Sequence, residues 1–205
     1  SAVRPVAAAP EPTAPPSEPA PGSTAVKLIS AGHGSGNAAD FFLDDAQIPV
    51  SIGPAARRGL NVVVVDPGAG RVLSARCYDI WGNPIEENRR LAKDLKGLPD
   101  GHVVLAALKD SGMENIDSSA LAALRECGST LEGRLTEREA YALIGTKGAD
   151  EPIAERRSDR MIMLETSLPF ALKSRISPPP PAAAWSSRPR GAEPPQPRPP
   201  ASASP

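Results

Sequence analysis

Adjacent carboxylates are the residues of this sequence that come closest to a catalytic pair: Asp44 with Asp45, and Glu86 with Glu87. A general acid and its base must face each other across a cleft, whereas neighbouring side chains on a strand or helix point in different directions. The sequence also contains no Gly-x-Ser-x-Gly elbow and no nucleophile placed beside a base. We therefore expect this chain to be non-catalytic, although a longer parent protein could carry a catalytic domain elsewhere.

The residue types that bind metal ions and phosphate are present without the necessary spacing. The histidines and cysteines, at His33, His102, Cys77 and Cys127, are not spaced as metal ligands. The glycine-rich segment 30–37, SAGHGSGN, predicts a mobile turn, because no Lys-Ser or Lys-Thr follows where a phosphate-binding loop needs it. We expect no metal and no cofactor, and the sequence leaves open whether the two thiols pair.

The charge balance excludes two further classes of partner. The chain has 23 Lys and Arg against 24 Asp and Glu, for a net charge of −1, and the two signs are interleaved. A surface for nucleic acid or for an anionic membrane needs a basic stripe instead. No apolar run approaches the roughly 20 residues of a membrane span. The chain begins at Ser1 without a signal-peptide pattern, so we expect it to be processed or cut from a longer protein.

Proline divides the chain into one domain and two tails. Residues 1–23 and 176–205 are rich in Pro, Ala and Ser and carry too little apolar surface to offset the entropy of ordering. We expect both to be disordered stalks. The intervening residues 24–175, about 150 in number, have the size of one domain with a full hydrophobic core.

A hairpin and a tight corner are predicted near the middle of the sequence. The runs Leu60–Val65 and Val72–Tyr78 flank the turn Asp66–Gly70, and the first run is unbroken enough to indicate burial on both faces. The segment Asp79–Gly82, Asp-Ile-Trp-Gly, follows the second strand. We expect its Asp to bond its own backbone, its Trp to pack at the corner, and its Gly to adopt a conformation that other residues tolerate poorly.

Two helices and four further strands complete the predicted elements. Asn83, Pro84 and Glu86 predict a capped helix start with a capping box, and the helix should run to Lys96. Its apolar face is expected to comprise Ile85, Leu91, Ala92, Leu95 and Leu98.

The second half of the chain alternates strands with one more helix. A buried strand is predicted at Val103–Leu108, and Asp117 should cap a helix that places Cys127 in the core. Tyr141–Ile144 and Met161–Leu164 are predicted as closing strands, and Val26–Ile29 as the first strand. Short strands without a regular βαβ repeat favour an α+β fold, made of short β-sheets with two or three helices.

The order of five motifs carries a family resemblance. They are RRGLNVVVVD, GRVLSARCYDIWGN, GHVVLAALKDSG, a helix ending in ALRECGS, and TEREAYALIGTKG. In this order and spacing they resemble the interleukin-like EMT inducer (ILEI/PANDER) domain family, over about Val26 to Leu168. The chain departs from that pattern in having Glu137-Arg138-Glu139 followed by Tyr141, and in lacking the cysteines of the secreted cytokine-like members.

The resemblance implies a sugar-binding site. Arg58, Asp110 and Arg138 match the positions at which the stem domain of protein O-mannose N-acetylglucosaminyltransferase, a carbohydrate-binding module similar to this chain, carries Arg, Asp and Arg. Guanidinium forks and a carboxylate suit the paired hydroxyls of a pyranose, and an aromatic ring covers its apolar face. Tyr141 or Trp81 is expected to supply that ring. The implied partner is a glycan or glycoprotein, and the implied location is the secretory-pathway lumen (Golgi) or the extracellular space.

Other interpretations of the same residues remain open. Arg58, Asp110 and Arg138 could instead form a buried ion network that fixes loops. Lys147, in the GTKG motif, is expected to be a solvated turn residue. At the level of the whole chain, the alternatives to a lectin-like module are a secreted cytokine-like ligand that acts through a protein receptor, and a structural spacer.

Overall fold

The computed structural model describes residues 22–50 and 58–173, so the two predicted stalks lie almost wholly outside the described residues. These residues form nine strands and two α-helices, with short 3-10 turns at His33–Ser35 and Met113–Asn115. The helices are α1 (Pro84–Lys96) and α2 (Ser118–Arg125). The strands are β1 (Thr24–Gly32), β2 (Ala38–Leu43), β3 (Ala46–Gln47), β4 (Gly59–Asp66), β5 (Arg71–Tyr78), β6 (Val103–Asp110), β7 (Ala140–Thr146), β8 (Ala154–Ser158) and β9 (Ile162–Leu168).

The strands form one branched sheet rather than several short ones. Strands β5-β4-β6-β7-β8 make an antiparallel section, and β3-β2-β1-β9 make a second antiparallel section. The sections join where β1 pairs in parallel with the end of β6, at Ala31 with Lys109 and Gly32 with Asp110. The observed fold is therefore a mixed sheet with two helices, which fits the α+β class, while the expectation of separate short sheets is wrong.

Alternating side chains divide the core into two clusters, one on each face of the first section. Leu60 and Val62 of β4 point toward α1 and α2, whereas Val63 and Val65 point toward the β1-β2-β9 section. β6 alternates in the same way, with Val104 in the first cluster and Leu105 in the second. A run of apolar residues buried on both faces is what the sequence of β4 predicts, and the structure confirms it.

The predicted hairpin and helices are present with small differences. β4 pairs antiparallel with β5, and α1 spans Pro84–Lys96 as predicted. Asp117 caps α2 by accepting a hydrogen bond from the Ala120 N–H at 2.8 Å. Neither of the two helices in the described ranges is long and apolar enough to cross a membrane.

The predicted capping box of α1 does not form. The Asn83 side chain accepts no capping hydrogen bond, and its N–H donates to the Asp79 carbonyl, which makes Asn83 part of the preceding turn. Glu86 instead binds Arg89 one turn along the helix. Ile85 was expected on the apolar face, but its side chain is 84% exposed, because the buried face is formed by Asn88, Leu91, Ala92 and Leu95.

The predictions for the two thiols and for one lysine have different outcomes. Cys127 is buried in the helix-side cluster, as predicted, and its burial raises the pKa of the thiol to about 11. Cys77 packs against the opposite cluster, and neither cysteine forms a disulfide bond. Lys147 is not a solvated turn residue: its side chain is buried and forms an ion pair with Glu126.

Candidate ligand-binding site

The ends of four strands meet at one end of the sheet. The register pairs Gly59 with Lys109, which places the start of β4 beside the end of β6, and Leu60 with Tyr78, which places it beside the end of β5. The end of β1 lies against the end of β6 through the Gly32–Asp110 pair. The residue before Gly59 is Arg58, so the first two predicted ligand residues, Arg58 and Asp110, lie at adjacent strand ends.

Arg58 is held in a fixed orientation by the corner that follows β5. Its Nε and Nη2 donate to the two carboxylate oxygens of Asp79 at 3.0 and 2.8 Å. The guanidinium carbon lies 4.2 Å from the centroid of the Trp81 ring, in cation–π geometry. The hydrogen bonds to Asp79 raise the pKa of Arg58. Arg58, Asp79 and Trp81 together form a preassembled unit, here called the Trp81 platform.

Asp79 links this platform to the backbone of the corner. Its Oδ1 also accepts the Gly82 N–H at 3.0 Å, so the predicted turn-forming role of Asp79 is confirmed and a second role is added. Burial opposes ionisation of the carboxyl group, but the hydrogen bonds from Arg58 and Gly82 outweigh it and lower the pKa of Asp79. Trp81 is 49% exposed, so the expectation that it packs at the corner holds for only part of the ring.

Gly82 is needed for space rather than for an unusual backbone angle. The φ angle of Gly82 is not positive, so the expectation of an unusual backbone conformation is wrong. A Cβ at Gly82 would lie 2.5 Å from Asp79 Oδ2 and 2.9 Å from Arg58 Nη2. Both atoms end flexible side chains, so they can move aside while the fold is kept.

We therefore predict that Gly82→Ala disrupts the Trp81 platform and lowers stability by less than about 1 kcal/mol. The measurement is acrylamide quenching of Trp81 fluorescence in a Trp185→Phe background, since Trp81 and Trp185 are the two tryptophans. Quenching should increase as the guanidinium leaves the ring. Gly133→Ala is the matched control, because a Cβ there meets nothing within 4 Å. Unchanged quenching in Gly82→Ala would show that the platform tolerates the methyl group.

Asp110 lies at the centre of the strand ends in a strained conformation. Its φ is 66°, a left-handed value that non-glycine residues adopt rarely and that Asp and Asn tolerate best. Its side chain is 26% exposed, and Oδ2 lies 3.7 Å from His33 Nδ1. Strained backbone of this kind is found most often at functional sites.

Arg138 reaches the same end of the sheet from the loop before β7. Its φ is also 66°, and its carbonyl oxygen is so close to Gly32 that a Cβ on Gly32 would lie 1.7 Å from it. Its side chain is 61% exposed, with Nε 3.5 Å from Glu137. Gly32 therefore separates Asp110 from Arg138 by the width of one backbone.

The open alternative of a buried ion network is not what the structure shows. Arg58 pairs with Asp79, Arg138 with Glu137, and Asp110 with His33. Within residues 22–50 and 58–173, no ion pair links Asp110 to either arginine. Asp110 and Arg138 thus flank Gly32 without a mutual ion pair, with side chains that are 26% and 61% exposed, so both retain polar groups that a ligand can contact.

Tyr141 cannot serve as the aromatic platform for a ligand. Its ring is fully buried in the helix-side core cluster, because residue 141 alternates onto the inner face of β7. Its hydroxyl donates to Glu155 Oε1 at 2.6 Å and lies 2.9 Å from Ser129 Oγ. The proposed stacking role therefore falls to Trp81 alone, and Tyr141 is a core residue whose polar end ties β8 to the loop after α2.

Glu155 makes this core network sensitive to acid. Burial works against its ionisation, yet hydrogen bonds from Ser129, Thr130 and Tyr141 lower the pKa of Glu155 below its ordinary value. A carboxyl group whose pKa is lower in the folded protein than in the unfolded chain stabilises the fold at pH values above its ordinary pKa. This stabilisation is lost as the pH falls through the folded-state pKa.

We predict that Glu155→Gln lowers the free energy of unfolding by about 1.5–3 kcal/mol at pH 7, because hydrogen bonds to a charged acceptor are lost. The difference between the two proteins should narrow as pH falls below 4.5, because the unfolded chain takes up a proton there while the folded carboxylate stays ionised until the pH is lower still. Urea unfolding of both proteins, at pH 7 and at a pH below 4.5, checks this. Glu151→Gln, at an exposed position, is the control. A difference that stays constant with pH would contradict the role given to the carboxylate.

Several residues of this site carry no clear signal in the sequence. His33 and Gly32 appear there as part of a glycine-rich turn, but β1 extends through Gly32 and brings both beside Asp110. Among the described residues, no group of three or more His, Cys, Asp or Glu side chains could hold a metal ion. The arrangement offers the Asp110 carboxylate, the Arg138 guanidinium and the half-exposed indole of Trp81 to a ligand.

Comparison with known proteins assigns the domain that carries this site. Residues 58–149 match the interleukin-like EMT inducer family, and the match begins at Arg58 and includes Asp110 and Arg138. The matched segment belongs to this family. Protein FAM3C of Xenopus laevis is 32% identical over 91 residues, which cover 44% of this chain and 38% of that protein. Human protein FAM3A is 26% identical over 106 residues, which cover 45% of its length.

A third relative has a much longer chain. The human cell migration-inducing and hyaluronan-binding protein is 32% identical over 91 residues, which cover 7% of its length. The matched region thus spans less than half of each of these relatives.

Proposed function

We propose that this ILEI-family domain is a non-catalytic recognition module of a secreted, signalling-type protein, and that the sheet-end cluster around Asp110 binds its partner. The family match is the observation that carries the proposal, since the names of the family and of one relative, interleukin-like EMT inducer and cell migration-inducing protein, refer to signalling. These names support the signalling alternative better than the lectin-like interpretation. The lumen of the Golgi has no support among the comparisons, so the extracellular space is the proposed location.

A glycan is the second candidate for the partner, and the geometry of the site favours it. Trp81 presents a half-exposed indole, and Asp110 and Arg138 offer polar groups that are not consumed by a mutual ion pair. An aromatic ring with nearby carboxylate and guanidinium groups suits a pyranose. One relative is named as hyaluronan-binding. The resemblance to the carbohydrate-binding stem domain of the glycosyltransferase also supports this second candidate.

One cell-binding experiment separates these candidates. The fluorescently labelled chain is added to intact cells before and after treatment with protease or with glycosidases, and bound fluorescence is measured. A protein receptor predicts that binding survives glycosidase and is lost after protease. A glycan partner predicts loss after the matching glycosidase. Absence of binding across several cell types would leave the structural spacer as the function and would contradict both proposals.

A further inference from the structure

The strand ends that form the site continue beyond it in a row. Across the first section of the sheet the order is β5, β4, β6, β7 and β8, and the same end of each strand contributes a polar residue. These are Trp81 and Asp79 after β5, Arg58 before β4, Asp110 at the end of β6, Arg138 before β7, and Asp159 after β8. Neighbouring strands lie about 4.8 Å apart, and the end of β1 lies between β6 and the loop before β7, so the row extends for about 24 Å over five steps.

Contacts between neighbouring loops make this row continuous. A Cβ on Gly112 would lie 3.4 Å from the Trp81 N, so the segment after Asp110 packs directly against the Trp81 platform. On the other side, Gly32 joins Asp110 to the Arg138 carbonyl. Glu139, the next residue, binds Arg157 of β8, with 3.0 Å between Oε1 and Nε.

A groove occupies the far end of the row. It has a volume of about 440 Å³ and is lined by Gly34, Ser35, Arg138, Glu139, Arg157 and Asp159, together with Thr136 and Glu137. Arg157 is 58% exposed although Glu139 holds its Nε, and its terminal amino groups make no hydrogen bond within the described part of the chain. The groove therefore offers a fixed guanidinium with free donors, well away from Trp81.

We propose that the sheet-end site accepts a glycan chain of several sugar units, which lies across the strand ends from Trp81 to this groove, and that Arg157 contacts the distal units. The inference rests on the glycan candidate for the proposed function. A single pyranose ring spans about one interstrand step, so it would fill only one part of the row. Arg157 is thereby a residue that determines the length of ligand the domain prefers.

The test titrates the full chain with hyaluronan oligosaccharides of increasing length, and with β-linked N-acetylglucosamine oligomers of matched length. We expect affinity in one series to rise from the disaccharide to the longest oligomer. Arg157→Ala should lower affinity for the longest oligomer by about tenfold, the loss expected for one charge-assisted hydrogen bond, and leave the disaccharide unchanged. Arg156→Ala is the matched control, because Arg156 is an exposed arginine of the same strand that does not line this groove.

The outcomes distinguish this inference from the function on which it rests. Equal affinity at all lengths, or equal effects of the two arginine substitutions, would overturn the extended site while leaving glycan binding intact. No binding in either series would overturn glycan binding itself and the extended site with it. Arg157→Lys, which keeps a charge beside Glu139, covers the case in which the alanine variant unfolds: the lysine variant should lose the length dependence and keep the wild-type melting temperature.

Discussion

Replacing Gly32 by alanine is expected to lower the free energy of unfolding by about 2–3 kcal/mol, as overpacking of a tight contact does. The added Cβ would lie 1.7 Å from the carbonyl oxygen of Arg138 and 2.7 Å from its carbonyl carbon. These are backbone atoms, so the end of β1 and the loop before β7 must separate to make room. Because Gly32 also pairs with Asp110, the two predicted ligand residues would move apart.

The control for this substitution lies two residues away. A Cβ on Gly34, in the adjacent 3-10 turn, meets nothing within 4 Å. Gly34→Ala should therefore change stability little, within about 0.5 kcal/mol. Urea unfolding of both variants measures the difference. If the two substitutions had the same effect, the close backbone approach that joins Asp110 to Arg138 would not exist.

Asp110→Asn is expected to abolish partner binding without destabilising the fold. The contact with His33 is long, at 3.7 Å, and partly exposed to solvent, and exposed ion pairs contribute about 0–1 kcal/mol. Asn tolerates the left-handed conformation at φ 66° as well as Asp does, so the backbone has no reason to move. Only the negative charge at the centre of the strand ends is removed. Loss of one charged hydrogen-bonding group costs about 1.5–3 kcal/mol, which removes most of a weak binding energy.

The elements whose signals are local were predicted well from the sequence. Pro84 at the first helical position and Gly97 after the last fix the ends of α1, and Asp117 fixes the start of α2. The valine run of β4 indicates burial on both faces, because no polar residue alternates with the apolar ones. Each of these signals operates over a few residues of chain.

Elements that depend on distant partners were predicted less well. β8, with the sequence AERRS, is a polar edge strand that exists because it pairs with β7, and no apolar alternation marks it. The branching of the sheet depends on two residue pairs between β1 and β6, which are almost 80 residues apart. The sequence alone has no local feature that specifies such pairs.

The candidate site shows the same division. The positions of Arg58, Asp110 and Arg138 followed from the family motifs, but their partners did not. Asp79 attracts Arg58 because β4 and β5 pair in a register that places residues 21 apart side by side. Tyr141 was expected to face a ligand, but the alternation along β7 directs its ring into the core, and one residue of register decides which face a side chain occupies.

The most direct test of the account compares two aspartates in the cell-binding experiment. Asp45, in the turn between β2 and β3, is exposed and has φ 63°, so Asp45→Asn makes the same chemical change in the same backbone conformation as Asp110→Asn. The labelled wild-type chain and both variants are added to the same cells at equal concentration, after their melting temperatures have been shown to agree. The account predicts that Asp45→Asn binds as the wild type does, while Asp110→Asn does not bind. Equal binding by all three proteins would show that the end of the sheet is not the recognition site.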